Sequence, residues 1–173
     1  YAVLILTLLL TNHFIPQQYT KYFGILSLFM LLVALTPGTL RRFHVNGKFA
    51  NLLMIYRRNF GIFTYLFVVT HELTYLSGSL NLGPDLFLKA PTFVKFGMVA
   101  SFLLLPLFLT SNDYAVRVLK QWWKRLHKLV YLVIVLVYLH LLFQKRLLAI
   151  VPLIWMLMNL LAVAYNDFFR KKD

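Results

Sequence analysis

Long apolar blocks alternate along the chain with short polar and basic segments, and the blocks are about as long as a membrane is thick. About 20 helical residues, rising 1.5 Å each, cross the hydrocarbon core of a bilayer. The blocks predict six transmembrane helices, at residues 2–15, 22–36, 60–77, 92–110, 127–144 and 147–164. The pattern therefore predicts an all-α, polytopic membrane helix bundle that forms a single domain over residues 1–173.

Glycine and proline mark several of the predicted boundaries. Pro37 and Gly38 are expected to close the second block, and Gly78 the third, because these residues favour turns. Pro106 lies inside the fourth block, where it predicts a kink. Residues 49–56, in the linker before the third block, predict a short helix at the membrane interface.

Composition supports the membrane assignment and excludes several kinds of chemistry. Of the 173 residues, 61% are hydrophobic and 13% charged, which is far more apolar than a soluble domain of this size. The sequence contains no cysteine, so disulfides, thiolate zinc sites, cysteine-ligated iron–sulfur clusters and thiol catalysis are excluded. No signal peptide is predicted. Because Tyr1 already lies in an apolar block, we expect natural residues before it.

The net charge of +13 bears on topology rather than on nucleic acid, because the cations cluster between the apolar blocks. Thirteen of the 18 Lys and Arg residues fall on one side of the predicted bundle and five on the other. The minority side comprises Lys21, Lys89, Lys95, Lys145 and Arg146. The positive-inside rule then predicts cytoplasmic N- and C-termini in a bacterial inner membrane, with lipid contacts and no nucleic-acid partner.

Two histidines fall at one predicted depth. His71 lies thirteen residues after Arg58, and His140 lies thirteen residues after His127, at the cytoplasmic ends of the third and fifth blocks. Thirteen residues rise about 20 Å, so both rings are expected in the outer half of the membrane. Two imidazoles at one height on parallel helices can bind one haem iron from opposite faces. Such ligation suits electron transfer because no axial position is left for substrate.

His127 sits lower, at the cytoplasmic boundary, and its ligation is less determined. The residues level with it on the third span are Arg57 and Arg58, which cannot bind iron because a guanidinium stays protonated. A second haem there would use His127 with water, another side chain, or His44. The cations expected to pair with haem propionates are Arg57, Arg58, Lys124, Arg125 and Lys128. On one ideal helix His127 and His140 would point about 140° apart, so either the helix is distorted or the two groups bind on different sides.

Several other polar residues can be explained without a cofactor. His13 and His44 are most simply interfacial or hydrogen-bonded residues. Trp122 and Trp123 are typical of an aromatic belt. Glu72, an unusual carboxylate inside a membrane span, either orients an imidazole or relays protons, or it pairs within the bundle.

Segments 56–76, 101–112 and 120–140 resemble the ferric-reductase-like transmembrane family. The specific motifs are R-R-x-x-G followed by T-H in the third span, and W-x-x-L-H followed by L-H thirteen residues later. The resemblance implies that His71, His127 and His140 bind one or two b-type haems. The wider family has a second histidine about fourteen residues before His71, where this chain has Arg57. This difference leaves the second haem open.

The resemblance also implies a function and partners. The chain is most similar to the branch that passes electrons to a periplasmic methionine sulfoxide reductase of the molybdopterin type. The soluble FAD/NADPH domain of larger relatives does not follow the last span, so we expect a cytoplasmic flavin reductase or quinol as donor. FMN or a quinone is a further candidate cofactor.

Two alternatives stay open at this point. The chain is either a haem subunit of another membrane oxidoreductase complex, or a non-redox transporter or assembly factor. In the latter, His71, Glu72 and His140 would relay protons.

Overall fold

A computed structural model of the chain describes residues 15–45, 47–79 and 86–170. All regular elements in these ranges are helical. The helices are α1 (Thr20–Arg42), α2 (Lys48–Ser79), α3 (Leu86–Lys89), α4 (Thr92–Leu109), α5 (Asp113–Leu119), α6 (Gln121–His127), α7 (Val130–Phe143) and α8 (Ile150–Arg170). Short 3-10 turns precede α1 (Gln17–Tyr19) and α8 (Leu147–Ala149).

Among the described residues, five helical segments are long and apolar enough to cross a membrane. They are Gln17–Arg42, Lys48–Leu76, Thr92–Leu109, Gln121–Phe143 and Leu147–Phe169. These segments correspond to the second to sixth predicted blocks, so the prediction of an all-α membrane bundle is confirmed. The first predicted span and His13 lie outside the described residues, apart from residue 15. The count of six spans and the sides of the termini therefore stay predictions.

Helix α1 runs through its predicted end. Pro37 lies inside the helix, which continues to Arg42, so the prediction that Pro37 and Gly38 end it was wrong. Proline cannot donate the backbone hydrogen bond, but its ring is fully buried here, and this packing holds the helix together. The preceding Thr36 hydroxyl also donates to the Leu32 carbonyl oxygen at 2.7 Å, adding a local bond beside the missing one.

Helix α2 is longer at both ends than the predicted third span. Its 32 residues continue past Gly78 and include residues 49–56, which are not a separate interfacial helix. At 1.5 Å per residue α2 is about 48 Å long, more than the roughly 30 Å of hydrocarbon. Arg57 and Arg58 are exposed in the part of α2 that precedes the packed bundle.

The fifth predicted span is broken near its start. Helix α6 ends at His127 and α7 begins at Val130. Between them, the Lys128 and Leu129 amides donate to carbonyl oxygens three residues back, at 3.1 and 3.0 Å, in place of the regular α-helical spacing. His127 and His140 therefore lie on two helical segments. The helix is therefore distorted between the two histidines.

The hydrophobic core holds four of the helices together. Helix α1 packs along α2, and α4 packs along α7. Tyr65 of α2 stacks on Phe108 of α4 with ring centroids 4.6 Å apart, and Val133 and Ile134 of α7 are fully buried beside them. Many apolar side chains on the outer surface are exposed, as expected for residues that face lipid.

Candidate haem-binding site

His71 of α2 and His140 of α7 face each other across the bundle. Their ring centroids lie 6.3 Å apart and their planes are perpendicular, at 88°. An imidazole nitrogen binds a first-row metal at about 2 Å and lies about 1 Å from its ring centroid, so two axial imidazoles on one ion have centroids about 6 Å apart. The observed separation matches that requirement.

Each histidine is held by a backbone carbonyl of a neighbouring helix. His71 Nδ1 donates to the Thr20 carbonyl oxygen at 2.8 Å, and His140 Nδ1 donates to that of Phe93 at 2.7 Å. A carbonyl oxygen only accepts, so the proton of each neutral ring must sit on Nδ1. Nε2 then carries the lone pair, and in His140 this lone pair accepts a hydrogen bond from the Gln144 side-chain amide at 3.1 Å. This is the usual arrangement of a metal-binding imidazole, whose second nitrogen is fixed by a carbonyl or carboxylate.

A glycine lies beside each ring, one helical turn after the carbonyl that holds it. A Cβ atom at Gly24 would lie 3.1 Å from His71 Cε1 and Nδ1, and one at Gly97 would lie 3.0 Å from His140 Nδ1. The two imidazoles therefore pack directly against helix backbone. Sequence analysis missed these glycines, although each lies in the first or second turn of a predicted span, four residues after Thr20 or Phe93.

Both histidines line a cavity of about 1230 Å³ between α1, α2, α4 and α7. Ordinary ligand pockets measure roughly 300–1,000 Å³. This cavity is larger, so a large planar group can enter. Among the described residues no group of three or more His, Asp or Glu side chains could hold a bare ion. Two imidazoles are too few for such an ion. They match the two axial positions that a porphyrin leaves on its iron, so the residues present fit haem.

Glu72 also lines the cavity, but its hydrogen bond is not to the Nδ1 atom of His71 or of His140. Its Oε2 accepts a hydrogen bond from the Ser101 hydroxyl of α4 at 2.7 Å. Because both Nδ1 atoms are taken by backbone carbonyls, Glu72 does not set the orientation of His71 or His140. The structure supports the alternative in which Glu72 pairs within the bundle.

His127 lies apart from the other two rings. Its Nε2 is 3.1 Å from the Thr110 hydroxyl, which itself donates to the Pro106 carbonyl oxygen at 2.7 Å, so Nε2 is the donor of the pair. The ring stacks on Trp123 with centroids 4.0 Å apart. Neither partner is an imidazole. His44, the other candidate ligand, packs instead beside Tyr165 at 6.2 Å.

The five cations predicted to pair with the propionates of a second haem beside His127 lie at the other end of the bundle from the cavity. Arg58 pairs with Asp113 at 2.6 Å, and the Arg125 guanidinium lies 4.9 Å from the Trp122 ring centroid. Arg57, Lys124 and Lys128 are exposed. In the described part of the chain, the cavity-lining residues include none of these five.

Known proteins resemble this chain over most of its length. The family described as ferric reductase like transmembrane component matches residues 23–138. The protein-methionine-sulfoxide reductase heme-binding subunit MsrQ of Agrobacterium fabrum is 32% identical over 156 residues, which cover 87% of this chain and 69% of that protein. The proteins of the same name from Brucella ovis and Brucella suis are 40% identical over 86 residues, or 47% of this chain and 39% of theirs. No solved structure matches.

Proposed function

Because the chain belongs to the ferric-reductase-like transmembrane family, we propose that it is a membrane electron-transfer subunit with haem b bound between His71 and His140. The observation that carries the proposal is the pair of rings 6.3 Å apart, each with its Nδ1 fixed by a carbonyl. The Nε2 lone pair of His140 accepts from the Gln144 side-chain amide at 3.1 Å, a bond that iron would replace. The large apolar cavity around them supports the same assignment.

The residues around the site suit electron transfer rather than catalysis on a substrate. A haem held by His71 and His140 would supply one-electron transfer. The Nδ1 hydrogen bonds hold both rings in place and increase their basicity as ligands. Apolar side chains such as Leu28, Leu104 and Val137 line the cavity and keep water away from the rings. Rigid surroundings without water reduce the reorganisation of the site when the charge of the iron changes.

The proposed acceptor is a periplasmic methionine sulfoxide reductase of the molybdopterin type, and the proposed donor is a cytoplasmic flavin reductase or quinol. The names of the similar proteins, which are heme-binding subunits of a methionine sulfoxide reductase, support the acceptor. The exposed cations Arg57, Lys124 and Arg125 support a donor that docks by charge, because such surfaces raise the rate of encounter. FMN or a quinone would serve as carrier on this side.

A second haem at His127 stays a prediction. To bind iron through Nε2, the ring would have to give up its bond to Thr110, and a second axial ligand would have to come from outside its present contacts. The separation of His127 from the cavity supports a single haem at His71 and His140 as the minimal site.

The absorption spectrum of the purified protein tests the proposal. We expect a Soret band and a reduced spectrum typical of two axial imidazoles. His71→Ala and His140→Ala should each lose most of the bound haem, because each removes one of two axial ligands. His44→Ala is the matched control and should keep it. Full haem content in His71→Ala would show that the ligand assignment is wrong.

A further inference from the structure

The cavity that holds His71 and His140 has two chemically different ends. One end is closed by apolar side chains, among them Leu31, Leu104 and Leu105. The other is lined by three cations, Lys21, Lys145 and Arg146, which are exposed at its mouth. Among the described residues, the acidic group of the lining is Glu72, which accepts from Ser101. A ligand with an apolar body and a negative edge would fit in one direction only.

The three cations are fixed to the same elements that hold the histidines. Lys21 directly follows Thr20, whose carbonyl oxygen accepts from His71 Nδ1. Lys145 and Arg146 follow the last residue of α7 by two and three positions, five and six residues after His140. Each cation is therefore within about two helical turns of a histidine or its anchor.

The backbone at Lys145 is unusual for a lysine. Its φ is 54°, the left-handed conformation that favours glycine. The Lys145 amide donates to the Leu142 carbonyl oxygen at 2.9 Å, and the Arg146 amide donates to that of Leu141 at 3.1 Å. These bonds form the Schellman ending of a helix, in which this position is most often glycine. Lys145 occupies this position although glycine would fit the left-handed backbone conformation better.

We propose that Lys21, Lys145 and Arg146 form a carboxylate-binding site that holds the propionates of the haem at the mouth of the cavity. The proposal rests on the proposed function, since it needs haem between His71 and His140. Propionates at the apolar end would be buried without a cation to pair with, and beside Glu72 they would meet a like charge. At the mouth each carboxylate can accept charge-assisted hydrogen bonds and remain hydrated.

The sequence predicted propionate partners for a second haem beside His127, namely Arg57, Arg58, Lys124, Arg125 and Lys128. None of these is among the described residues that line this cavity. The cations that line the mouth belong to the smaller set of five, on the side predicted to face the periplasm. The propionate edge would then point towards the proposed acceptor.

The test uses haem-loaded protein purified from membranes, with Lys21→Gln, Lys145→Gly and Arg146→Gln made singly and together. The rate at which haem transfers to excess apomyoglobin and the midpoint potential are measured. Lys145→Gly is the most informative variant because glycine suits the turn. Faster haem loss in this variant would come from the missing ammonium group. We expect each change to speed haem loss about 3- to 10-fold. The potential should fall, since removing nearby positive charge disfavours the reduced state.

Lys89→Gln is the matched control, because it removes an exposed cation from the same predicted side without altering the cavity lining. Unchanged transfer rates and potentials in all three variants, with haem present in the unaltered protein, would overturn the propionate assignment alone. The same result with loss of co-purified phospholipid would show that the mouth binds lipid phosphate instead. Absence of haem from the unaltered protein would overturn the proposed function itself.

Discussion

The tight packing of His140 against Gly97 predicts the direction in which a substitution changes haem binding. Replacing Gly97 with Ala places a Cβ atom 3.0 Å from His140 Nδ1, whereas non-bonded heavy atoms prefer about 3.5–4.0 Å. The ring cannot easily retreat, because Nδ1 is held by the Phe93 carbonyl oxygen at 2.7 Å and Nε2 must reach the iron. Either the hydrogen bond or the iron bond has to lengthen.

The size of the effect follows from the cost of overpacking. Adding one methyl group to a filled site costs about 1–3 kcal/mol, which is about 5- to 150-fold in affinity. Glycine in a helix interior, however, is less favourable than alanine by about 1 kcal/mol. We therefore expect Gly97→Ala to weaken haem binding, while the gain in helix propensity offsets part of the overpacking cost in the protein without haem. Gly24→Ala should behave in the same way, because its Cβ would meet His71 at 3.1 Å.

Gly61→Ala provides the matched control. It makes the same chemical change within α2, but a Cβ atom there would meet nothing within 4 Å. The assay compares haem per protein and the rate of haem transfer to apomyoglobin for the three variants, with circular dichroism as the check on folding. Equal haem retention in Gly97→Ala and Gly61→Ala would refute the close packing of His140 against α4.

Two further predictions concern the faces of the bundle. Reporter fusions after residue 173 or within residues 41–58 should report cytoplasm, and fusions within residues 79–90 should report the opposite side, given the split of thirteen to five cations. A periplasmic C-terminus would overturn this topology. If a soluble flavoprotein is the donor, haem reduction should slow steeply with added salt, and charge reversal at Lys124 and Arg125 should slow it further. Reduction that does not depend on salt but responds to quinol analogues would show that quinol is the donor.

The helices and the level of the two histidines could be predicted because both depend on short-range sequence properties. The fourth span, predicted at 92–110, is Thr92–Leu109 in the structure. His71 and His140 meet because rise per residue fixes depth once the helix ends are known. The end of α1 was missed because Pro37 is usually a helix breaker, and only burial against other helices reverses that tendency.

Contacts between helices that are distant in sequence could not be predicted in this way. The Thr20 carbonyl oxygen meets His71 across 51 residues, and the Phe93 carbonyl oxygen meets His140 across 47. Nothing in the local pattern links these residues. The cations at the cavity mouth were missed for a related reason. Lys21, Lys145 and Arg146 were counted as the minority charge of a topology rule, and only the packing of α1 against α2 and of α4 against α7 brings them together.

The site repeats one local design on two helix pairs. In the first pair, α1 supplies a carbonyl and a glycine to a histidine of α2; in the second, α4 supplies the same two features to a histidine of α7. These two pairs are also the most closely packed helices of the described bundle. Each histidine is thus fixed within its own pair, and a haem iron would be the covalent link between them. A ligand that binds only the assembled form stabilises it according to its concentration and affinity. Haem would therefore stabilise the spacing of the two pairs that the shared core, with Tyr65 stacked on Phe108, already holds, and each histidine is oriented by the anchor within its own pair.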